Sequence, residues 1–561
     1  MQPRGDKLDP SDASEPPPEM LPLPLRGIIE WFGNANRYPR RRRGVANRAA
    51  CAASGAEESE RRCCGIARQP RAARHAIGTG NAGTGTQRGN LRGGLQDGES
   101  LNLTLGEEEE EEERDNGREH LRSVKMFASL AFAFAALSLA SCIPVQQVSE
   151  GSKVLLVSFD GFRWNYDQDV DTPNLDAMAA EGVKAQYMTP AFITITSPCH
   201  FTLLTGRYLE NHGVIHNMWF NTSTKEKLPY YLTQGVDSWW DNGSLPIWIT
   251  AQRQGLKTGS IHFPGGKAKY QGEEVNMKLV EPPLFNYSNE TIWRKNIDTA
   301  MEWFTQNNLD FIALYFGEPD SAGHKYGPES TQRKNMIKQV DRTVGYLRQR
   351  IQESGLESKL NLIITSDHGM ETVIKTDEIH IGAIKNFTFK DIQFELLDYG
   401  PNGLLLPKEG KLEHVYSVLK NAHPKLHVYK KEDFPRRFHY ANHPRITPLL
   451  LYGDPGYVIH GRYKVQFNKG EHGFDNEAMN MKTIFRAVGP AFKQGLVVEP
   501  FESVNVYALL CELLGIVPEP HDGSLEIMKP MLRSSAPRPP AKKLPAMLGI
   551  ALVLGFWGGI L

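Results

Sequence analysis

The sequence predicts an α/β fold in which a mostly parallel central sheet is flanked by helices on both faces. Three short and nearly continuous apolar runs are typical of strands buried on both sides, and they occupy residues 153–159 (KVLLVSF), 310–316 (DFIALYF) and 360–365 (LNLIIT). Helical patterns at residues 291–306 and 330–354 lie between them. Strands and helices that alternate in this way indicate an α/β architecture.

Composition changes abruptly near residue 125. Residues 1–125 contain 18 Arg and 2 Lys, whereas residues 126–561 contain 15 Arg and 29 Lys. The whole chain is close to neutral, with 64 basic against 65 acidic residues. A neutral chain has no bulk positive field to attract nucleic acid, so no nucleic-acid partner is expected.

Residues 1–125 carry no helical or strand period. They contain proline clusters, the basic run Arg40–Arg43, repeated Gly-Thr-Gly and seven consecutive glutamates at 107–113. Such a segment cannot bury enough apolar surface to offset its ordering entropy, so we expect a disordered leader. We interpret it as upstream sequence read through by a gene model. The alternatives are a flexible cytosolic arm and an Arg-Gly-rich RNA-binding arm.

Residues 126–142 have the pattern of a secretory signal peptide. Lys125 and Met126 precede the apolar run 127–139, and the small residues Ala140-Ser141 follow it. Translation is therefore expected to start at Met126; if it starts at Met1, the run becomes a marginal signal anchor. A lumenal route is consistent with five predicted glycosylation sites, which are Asn221, Asn242, Asn286, Asn289 and Asn386.

The C-terminal region predicts a membrane anchor. A catalytic domain over residues 150–527 is expected to be followed by a Pro-rich linker at 528–543 and an uncharged apolar tail at 544–561. About 17 apolar residues is the lower limit for crossing a bilayer, so we expect a single-pass type I anchor. A glycolipid-anchor signal is the alternative. The expected location is the extracellular face of the cell surface.

Metal-type side chains follow the predicted strands. In open α/β sheets, ligands bind beyond the carboxyl ends of the strands. An aspartate before glycine is usually a turn residue, and a lone histidine is usually structural, but their repetition here indicates metal ligands. The six candidates, sufficient for two sites, are Asp160, Asp320, His324, Asp367, His368 and His472.

A candidate nucleophile lies in the segment 190–207. Thr196 precedes Ser197 and Pro198, and proline is favoured in the first helical turn. A hydroxyl at the positive end of a helix is well placed to meet a phosphate, and coordination to zinc would lower its pKa. The alternative is that Thr196 or Ser197 only caps the helix.

Six ordered motifs together resemble the ectonucleotide pyrophosphatase/phosphodiesterase family of the alkaline phosphatase superfamily, over roughly residues 152–525. The motifs are FDGFRW, TITSPCHFTLLTG, HGVIHN, GEPDSAGH, TSDHGM and GEHGFDN. The resemblance implies an alkaline-phosphatase-like fold and two Zn²⁺ per subunit. It assigns Asp320, His324 and His472 to one ion, and the set Asp160, Asp367, His368 and Thr196 to the other.

The same resemblance implies a mechanism and a substrate. Thr196 would attack phosphorus, and the amide of Asn217 would stabilise the phosphoryl charge. Nucleotide-cleaving relatives carry a Lys-Thr-Phe-Pro-Asn type segment where this chain has residues 195–200 (ITSPCH), which disfavours nucleotides. We expect hydrolysis of sphingomyelin to ceramide and phosphocholine at a membrane surface, such as the apical membrane of intestinal epithelium.

Several alternatives stay open. Other choline phosphodiesters (lysophosphatidylcholine, glycerophosphocholine) or nucleotides are alternative substrates, and a catalytically inactive binding protein is an alternative class. Aromatic side chains predicted to bind the choline cation are Tyr287, Phe263 and Phe394. The sequence does not indicate an oligomeric state.

Overall fold

The computed structural model describes residues 152–283, 285–464 and 466–533. The predicted leader, the signal peptide and the residues from 534 onward lie outside these ranges. The prediction of a cell-surface protein held by a single-pass C-terminal anchor is corrected. None of the helices in the described ranges is long and apolar enough to cross a membrane. The tail at 544–561, on which the anchor was placed, is not among the described residues.

The strands are numbered in chain order. They are β1 (Lys153–Phe159), β2 (Val183–Ala185), β3 (Met188–Thr189), β4 (Trp219–Asn221), β5 (Glu226–Leu228), β6 (Thr258–Ile261), β7 (Met277–Leu279), β8 (Phe311–Phe316), β9 (Leu360–Thr365), β10 (Glu371–Thr372), β11 (Ile379–His380), β12 (Ile392–Tyr399), β13 (Asn402–Pro407), β14 (Leu426–Lys430), β15 (Leu449–Gly453), β16 (Ile459–His460), β17 (Gly470–Glu471), β18 (Phe485–Val488), β19 (Leu496–Val498) and β20 (Phe501–Glu502).

The α-helices are numbered in the same way. They are α1 (Pro173–Glu181), α2 (Thr196–Thr205), α3 (Leu209–His212), α4 (Tyr230–Thr233), α5 (Asp237–Trp240), α6 (Ile247–Arg253), α7 (Glu290–Thr305), α8 (Asp320–Tyr326), α9 (Thr331–Glu353), α10 (Leu412–Leu419), α11 (Val506–Leu514) and α12 (Leu525–Met528). Short 3₁₀ turns lie at Tyr166–Gln168, Ile381–Ala383, Phe389–Asp391, Lys431–Asp433, Arg436–Phe438, Met479–Met481, Ser503–Asn505 and Lys529–Met531.

The central sheet is mixed and mostly parallel, which confirms the predicted fold class. Its order is β19-β2-β18-β9-β1-β8-β6-β7. Strands β9, β1, β8, β6 and β7 are mutually parallel. Strand β18 pairs antiparallel with both β9 and β2. The three predicted strands are β1, β8 and β9, and they lie side by side at the centre.

The two faces of the central sheet bury separate apolar clusters. Alternate residues of a strand point to opposite faces, so Val154 and Leu156 join one cluster while Leu155 and Val157 join the other. Helices α2, α6 and α11 contribute to the first cluster, and α1, α7 and α9 contribute to the second. Helices α7 and α9 are the two predicted from the sequence.

A second sheet, which the sequence did not predict, is antiparallel and has the order β12-β13-β15-β14. It packs with α10 around a third apolar cluster that includes Leu405, Leu419 and Leu451. The chain reaches this sheet after β9 and returns from it to the candidate site through β17.

The folded domain extends beyond its predicted boundary at residue 527. Residues 525–531 form α12 and a 3₁₀ turn, and Met528 and Met531 are fully buried. Arg533 donates its backbone N–H to the Ala491 carbonyl at 2.8 Å. Residues 528–533 are therefore part of the packed domain rather than of a linker.

Candidate metal centre and active site

Strand pairing brings the predicted ligands together. Strand β1 is hydrogen-bonded in parallel to β8 on one side and to β9 on the other. Asp160 follows β1, Asp320 begins the helix after β8, and Asp367 follows β9. Because the carboxyl ends of adjacent parallel strands meet at one edge, these three carboxylates converge there.

One group of ligands consists of Asp320, His324 and His472. Nε2 of His324 lies 3.4 Å from Oδ2 of Asp320 and 3.2 Å from Nε2 of His472. Nε2 of His472 lies 3.5 Å from Oδ1 of Asp320. Ligands bound to one tetrahedral zinc at about 2.0–2.2 Å stand about 3.4 Å apart, so this group has the required spacing. Asp320 and His324 share one face of α8, as their spacing of four predicted.

The other group consists of Asp160, Asp367 and His368. Nε2 of His368 lies 3.5 Å from Oδ1 of Asp160 and 3.0 Å from Oδ2 of Asp367. Oγ1 of Thr196 lies 3.3 Å from the same nitrogen. The His368 and His472 rings stack with centroids 3.6 Å apart, so the two groups are immediate neighbours.

Backbone carbonyls orient all three imidazoles. Nδ1 of His324 donates to the Gly470 carbonyl at 2.9 Å, and Nδ1 of His472 donates to the Thr194 carbonyl at 2.8 Å. Nδ1 of His368 donates to the carbonyl of Gly369 at 3.0 Å. With the proton held at Nδ1, each neutral ring directs the lone pair of Nε2 into the cluster, as a metal ligand must.

Each carboxylate of the cluster has one oxygen without a hydrogen-bond partner among the described residues. These oxygens are Asp160 Oδ1, Asp320 Oδ1 and Asp367 Oδ2, and all three are buried. Burial raises the pKa of Asp160 and Asp320 well above the ordinary value, and the charges of neighbouring carboxylates raise it further. Buried anions that lack partners need a cation. These residues therefore fit a metal centre with oxygen and nitrogen ligands.

Thr196 is the first residue of α2, and its side chain is buried with an exposed fraction of 6%. Its hydroxyl lies against the imidazole of His368. The residue before it, Ile195, is extended and provides no side-chain cap. The hydroxyl of Thr196 therefore lies among the candidate metal ligands, a position that is compatible with the nucleophile interpretation.

Asn217 lies beside the start of α2. Its Oδ1 accepts the backbone N–H of Ser197 at 2.7 Å, and its Nδ2 donates to the hydroxyl of Tyr399 at 2.9 Å. The amide is thus held from both ends and lies next to the candidate nucleophile. Its role in stabilising the phosphoryl charge stays a prediction.

Sequence reasoning missed three residues at the site. The hydroxyl of Tyr315 donates to Oδ2 of Asp160 at 2.6 Å, and Tyr399 fixes Asn217. Oε1 of Glu471 lies 3.5 Å from Nδ1 of His324. Tyr315 could have been noticed because its phenol lies in the apolar run 310–316, shortly before the candidate ligand Asp320 in the sequence. Nothing in the sequence connects Tyr399 with the site.

The three aromatic residues predicted to bind choline differ in accessibility. Phe263 and Phe394 are only 3% and 2% exposed. Phe263 packs edge-on against His200, and the Phe394 ring stacks on Phe220. The prediction that Phe263 and Phe394 bind the substrate is therefore corrected, because both rings are covered by the protein.

Tyr287 remains a candidate for substrate binding. It is half-buried, and its ring lies so close to Gly317 that a Cβ on that glycine would come within 2.2 Å of a ring carbon. Gly317 directly follows β8, three residues before Asp320. The Tyr287 hydroxyl donates to Oε1 of Glu281 at 2.8 Å. The Phe285 ring meets Tyr287 edge-on at 5.5 Å.

The predicted glycosylation sites also differ in accessibility. Asn286 and Asn386 are exposed. Nδ2 of Asn242 donates to the carbonyl of Trp239 at 2.8 Å, and the side chain of Asn289 caps α7. Oδ1 of Asn221 accepts backbone N–H groups of its own turn. Glycosylation stays a prediction at all five positions, and Asn286 and Asn386 are the most open.

The fold and the ligand cluster define a phosphoric diester hydrolase with an alkaline-phosphatase-like architecture. Residues 154–475 match the family model for type I phosphodiesterase / nucleotide pyrophosphatase. The chain belongs to the ectonucleotide pyrophosphatase/phosphodiesterase family. It is 67% identical to family member 7 of Rattus norvegicus over 415 residues, which is 73% of this chain and 94% of that protein.

A further relative and a solved structure support the family assignment. Family member 5 of Homo sapiens is 38% identical over 413 residues, which is 73% of this chain and 84% of that protein. An inactive form of murine family member 5, solved in complex with AMP, superimposes with a TM-score of 0.64 at 35% identity. That match covers 68% of this chain and 100% of the solved one.

Proposed function

We propose that this phosphodiesterase is a two-zinc enzyme of phospholipase C type that hydrolyses sphingomyelin to ceramide and phosphocholine. The observation that carries the proposal is the position of Thr196 Oγ1, 3.3 Å from Nε2 of His368 and inside the ligand cluster. A hydroxyl held there at the N-terminus of α2 suits attack on a phosphodiester. Similarity to family member 7 supports the assignment.

The proposed zinc ligands are the two groups described above, with the Thr196 hydroxyl on the Asp160 group. When bound, the ions supply Lewis acidity, which lowers the pKa of the threonine hydroxyl and offsets phosphoryl charge. Thr196 Oγ1 gives up its proton and forms a bond to phosphorus. The bond between phosphorus and the ceramide oxygen breaks and that oxygen takes up a proton, so that phosphocholine remains as an ester of Thr196. Water then hydrolyses this phosphothreonine ester and restores the hydroxyl. The amide of Asn217 stabilises the phosphoryl charge.

The choline head group is proposed to lie against Tyr287, Phe285 and Glu281. Aromatic faces attract a quaternary ammonium, by about 0.5–2 kcal/mol per ring. Burial raises the pKa of Glu281 to about 7, and a cation beside it would favour the ionised form. Sphingomyelin is a membrane lipid, so in this proposal the enzyme works at a membrane surface.

Nucleotide hydrolysis is the second candidate function. It is favoured by one specific observation, which is that the similar structure of murine family member 5 is a complex with AMP. Tyr287 could stack on a base as readily as on choline. The segment at 195–200 departs from the nucleotide-cleaving pattern, which favours choline esters, among which lysophosphatidylcholine and glycerophosphocholine are alternatives.

The substrate proposal is tested by comparing kcat/KM for sphingomyelin, lysophosphatidylcholine and a nucleotide phosphodiester with one preparation of the chain. We expect sphingomyelin to exceed the nucleotide by more than about tenfold, and phosphocholine to be the product. An Asp320→Asn preparation controls for contaminating hydrolases, since it loses a proposed ligand. A nucleotide that exceeds sphingomyelin tenfold would overturn the proposal.

A further inference from the structure

A third group of metal-type side chains lies where β11 pairs with β16. The two strands are parallel, and His380 is directly opposite His460. Their rings lie nearly parallel, with centroids 4.8 Å apart. Glu378 stands just before β11. Its Oε2 lies 3.3 Å from Nε2 of His380, and its Oε1 lies 3.8 Å from Nε2 of His460.

His460 is the unusual member of this group. Its side chain is 0% exposed, yet neither of its ring nitrogens has a hydrogen-bond partner among the described residues. A buried polar group without a partner costs about 1–3 kcal/mol, so an apolar side chain would suit this position better unless something else binds the ring. The group that Nε2 faces is the carboxylate of Glu378.

We propose that Glu378, His380 and His460 form a third divalent-metal site of the Zn²⁺ type, separate from the two proposed in the candidate catalytic centre. Their ligand atoms all lie within 4.8 Å of one another. Two imidazoles and one carboxylate make up a known ligand set for zinc sites that keep a fourth position open. A pocket of about 410 Å³ is lined by two of the three residues, Glu378 and His380.

Positively charged neighbours oppose this metal, and Lys464 is the one in direct contact with Glu378. The ammonium of Lys464 donates to both carboxylate oxygens of Glu378, each at 2.6 Å. Its side chain is 36% exposed, so it can swing into solvent when a cation takes its place. A bound metal is therefore expected to compete with Lys464, and removal of this positive charge should tighten metal binding.

The proposal is tested by equilibrium dialysis of the full chain against Zn²⁺, followed by measurement of the metal content. His380→Gln and Glu378→Gln are expected to hold one zinc fewer per chain than the wild type, because the third site weakens by more than about 100-fold. His414→Gln, which changes an exposed histidine of α10, is the matched control and should equal the wild type. The comparison is independent of how many ions the catalytic centre holds.

Lys464→Met is expected to have the opposite effect on zinc affinity in the same assay. It should bind the additional zinc severalfold more tightly. Melting curves give a second readout, since added Zn²⁺ should raise the Tm of the wild type by more than that of His380→Gln. Equal zinc content in the wild type and both ligand variants would overturn the proposal. So would an unchanged affinity in Lys464→Met.

Discussion

The side-chain amide of Asn217 donates from Nδ2 to the hydroxyl of Tyr399 at 2.9 Å. Tyr399 is the last residue of β12, in the antiparallel sheet, whereas Asn217 lies beside the start of α2. The opposite end of the amide accepts the backbone N–H of Ser197. The antiparallel sheet thus helps to orient an amide adjacent to the candidate nucleophile.

Tyr399→Phe is expected to lower kcat by up to about tenfold with little change in KM. The variant removes one hydrogen bond, worth about 0.5–1.5 kcal/mol, that orients the amide of Asn217. Steady-state kinetics on sphingomyelin measure the effect. Tyr440→Phe is the control, because that buried phenol donates to the carbonyl of Ile215 at 3.2 Å. Equal losses in both variants would indicate a merely structural role for Tyr399.

Tyr315→Phe should weaken metal binding about 10- to 100-fold. The phenol donates to Oδ2 of Asp160 at 2.6 Å, and partners of ligating carboxylates have effects of this size on affinity. Competition with a chromogenic chelator measures the affinity. Tyr270→Phe removes a buried phenol that binds the carbonyl of Gly265 instead, and it should leave the affinity unchanged. An unchanged affinity in Tyr315→Phe would contradict the prediction.

Tyr287→Ala is expected to raise KM for a choline phosphodiester about 2- to 30-fold, in line with the loss of one cation–π contact. Tyr287→Phe keeps the ring and should lose less. A chromogenic diester without a cation, such as bis(p-nitrophenyl) phosphate, serves as the control substrate. If KM for this ester, which carries no cation, rises equally, the ring does not recognise choline.

His212 is expected to make the fold sensitive to acid. Its Nδ1 accepts the N–H of Val214, so Nε2 carries the proton and donates to Oγ1 of Thr202. Burial lowers the pKa of His212 from 6.5 to about 3. Between these values the unfolded chain binds a proton that the folded chain does not, so stability is present above pH 6.5 and is lost as the pH falls towards 3.

The measurement for His212 is urea unfolding between pH 4 and 7. His212→Asn should reduce the pH dependence of the unfolding free energy by up to about 1.4 kcal/mol per pH unit. His414→Asn, on exposed α10, is the control for the loss of a histidine. Parallel curves for wild type and His212→Asn would refute the prediction.

The central strands could be predicted because they are buried on both faces. Strands β1, β8 and β9 therefore read as continuous apolar runs, and α7 and α9 alternate with them. The antiparallel sheet was missed, although β13 contains the run Leu404–Leu406. A short apolar run does not distinguish a strand from a buried helix segment. One of its two partner strands, β15, is also distant in the sequence, since Leu404 pairs with Leu450.

The clustering of the candidate ligands could be predicted because aspartate and histidine recur at the ends of buried strands. Contacts that depend on tertiary packing could not. Tyr399 reaches Asn217 across 182 positions, and no local pattern predicts that contact. The prediction for Phe263 and Phe394 failed for the related reason that nearness to a motif in the sequence does not indicate whether a ring is buried.

The most direct test of the account compares Thr196→Ala with Ser197→Ala for sphingomyelin turnover, with zinc content measured on the same samples. Ser197 is the adjacent hydroxyl, and its Oγ accepts from Nε2 of Gln234 at 3.3 Å. Thr196→Ala is expected to lose more than about a thousandfold in kcat while retaining its zinc, and Ser197→Ala is expected to stay active. Substantial turnover by zinc-loaded Thr196→Ala would contradict the proposed nucleophile.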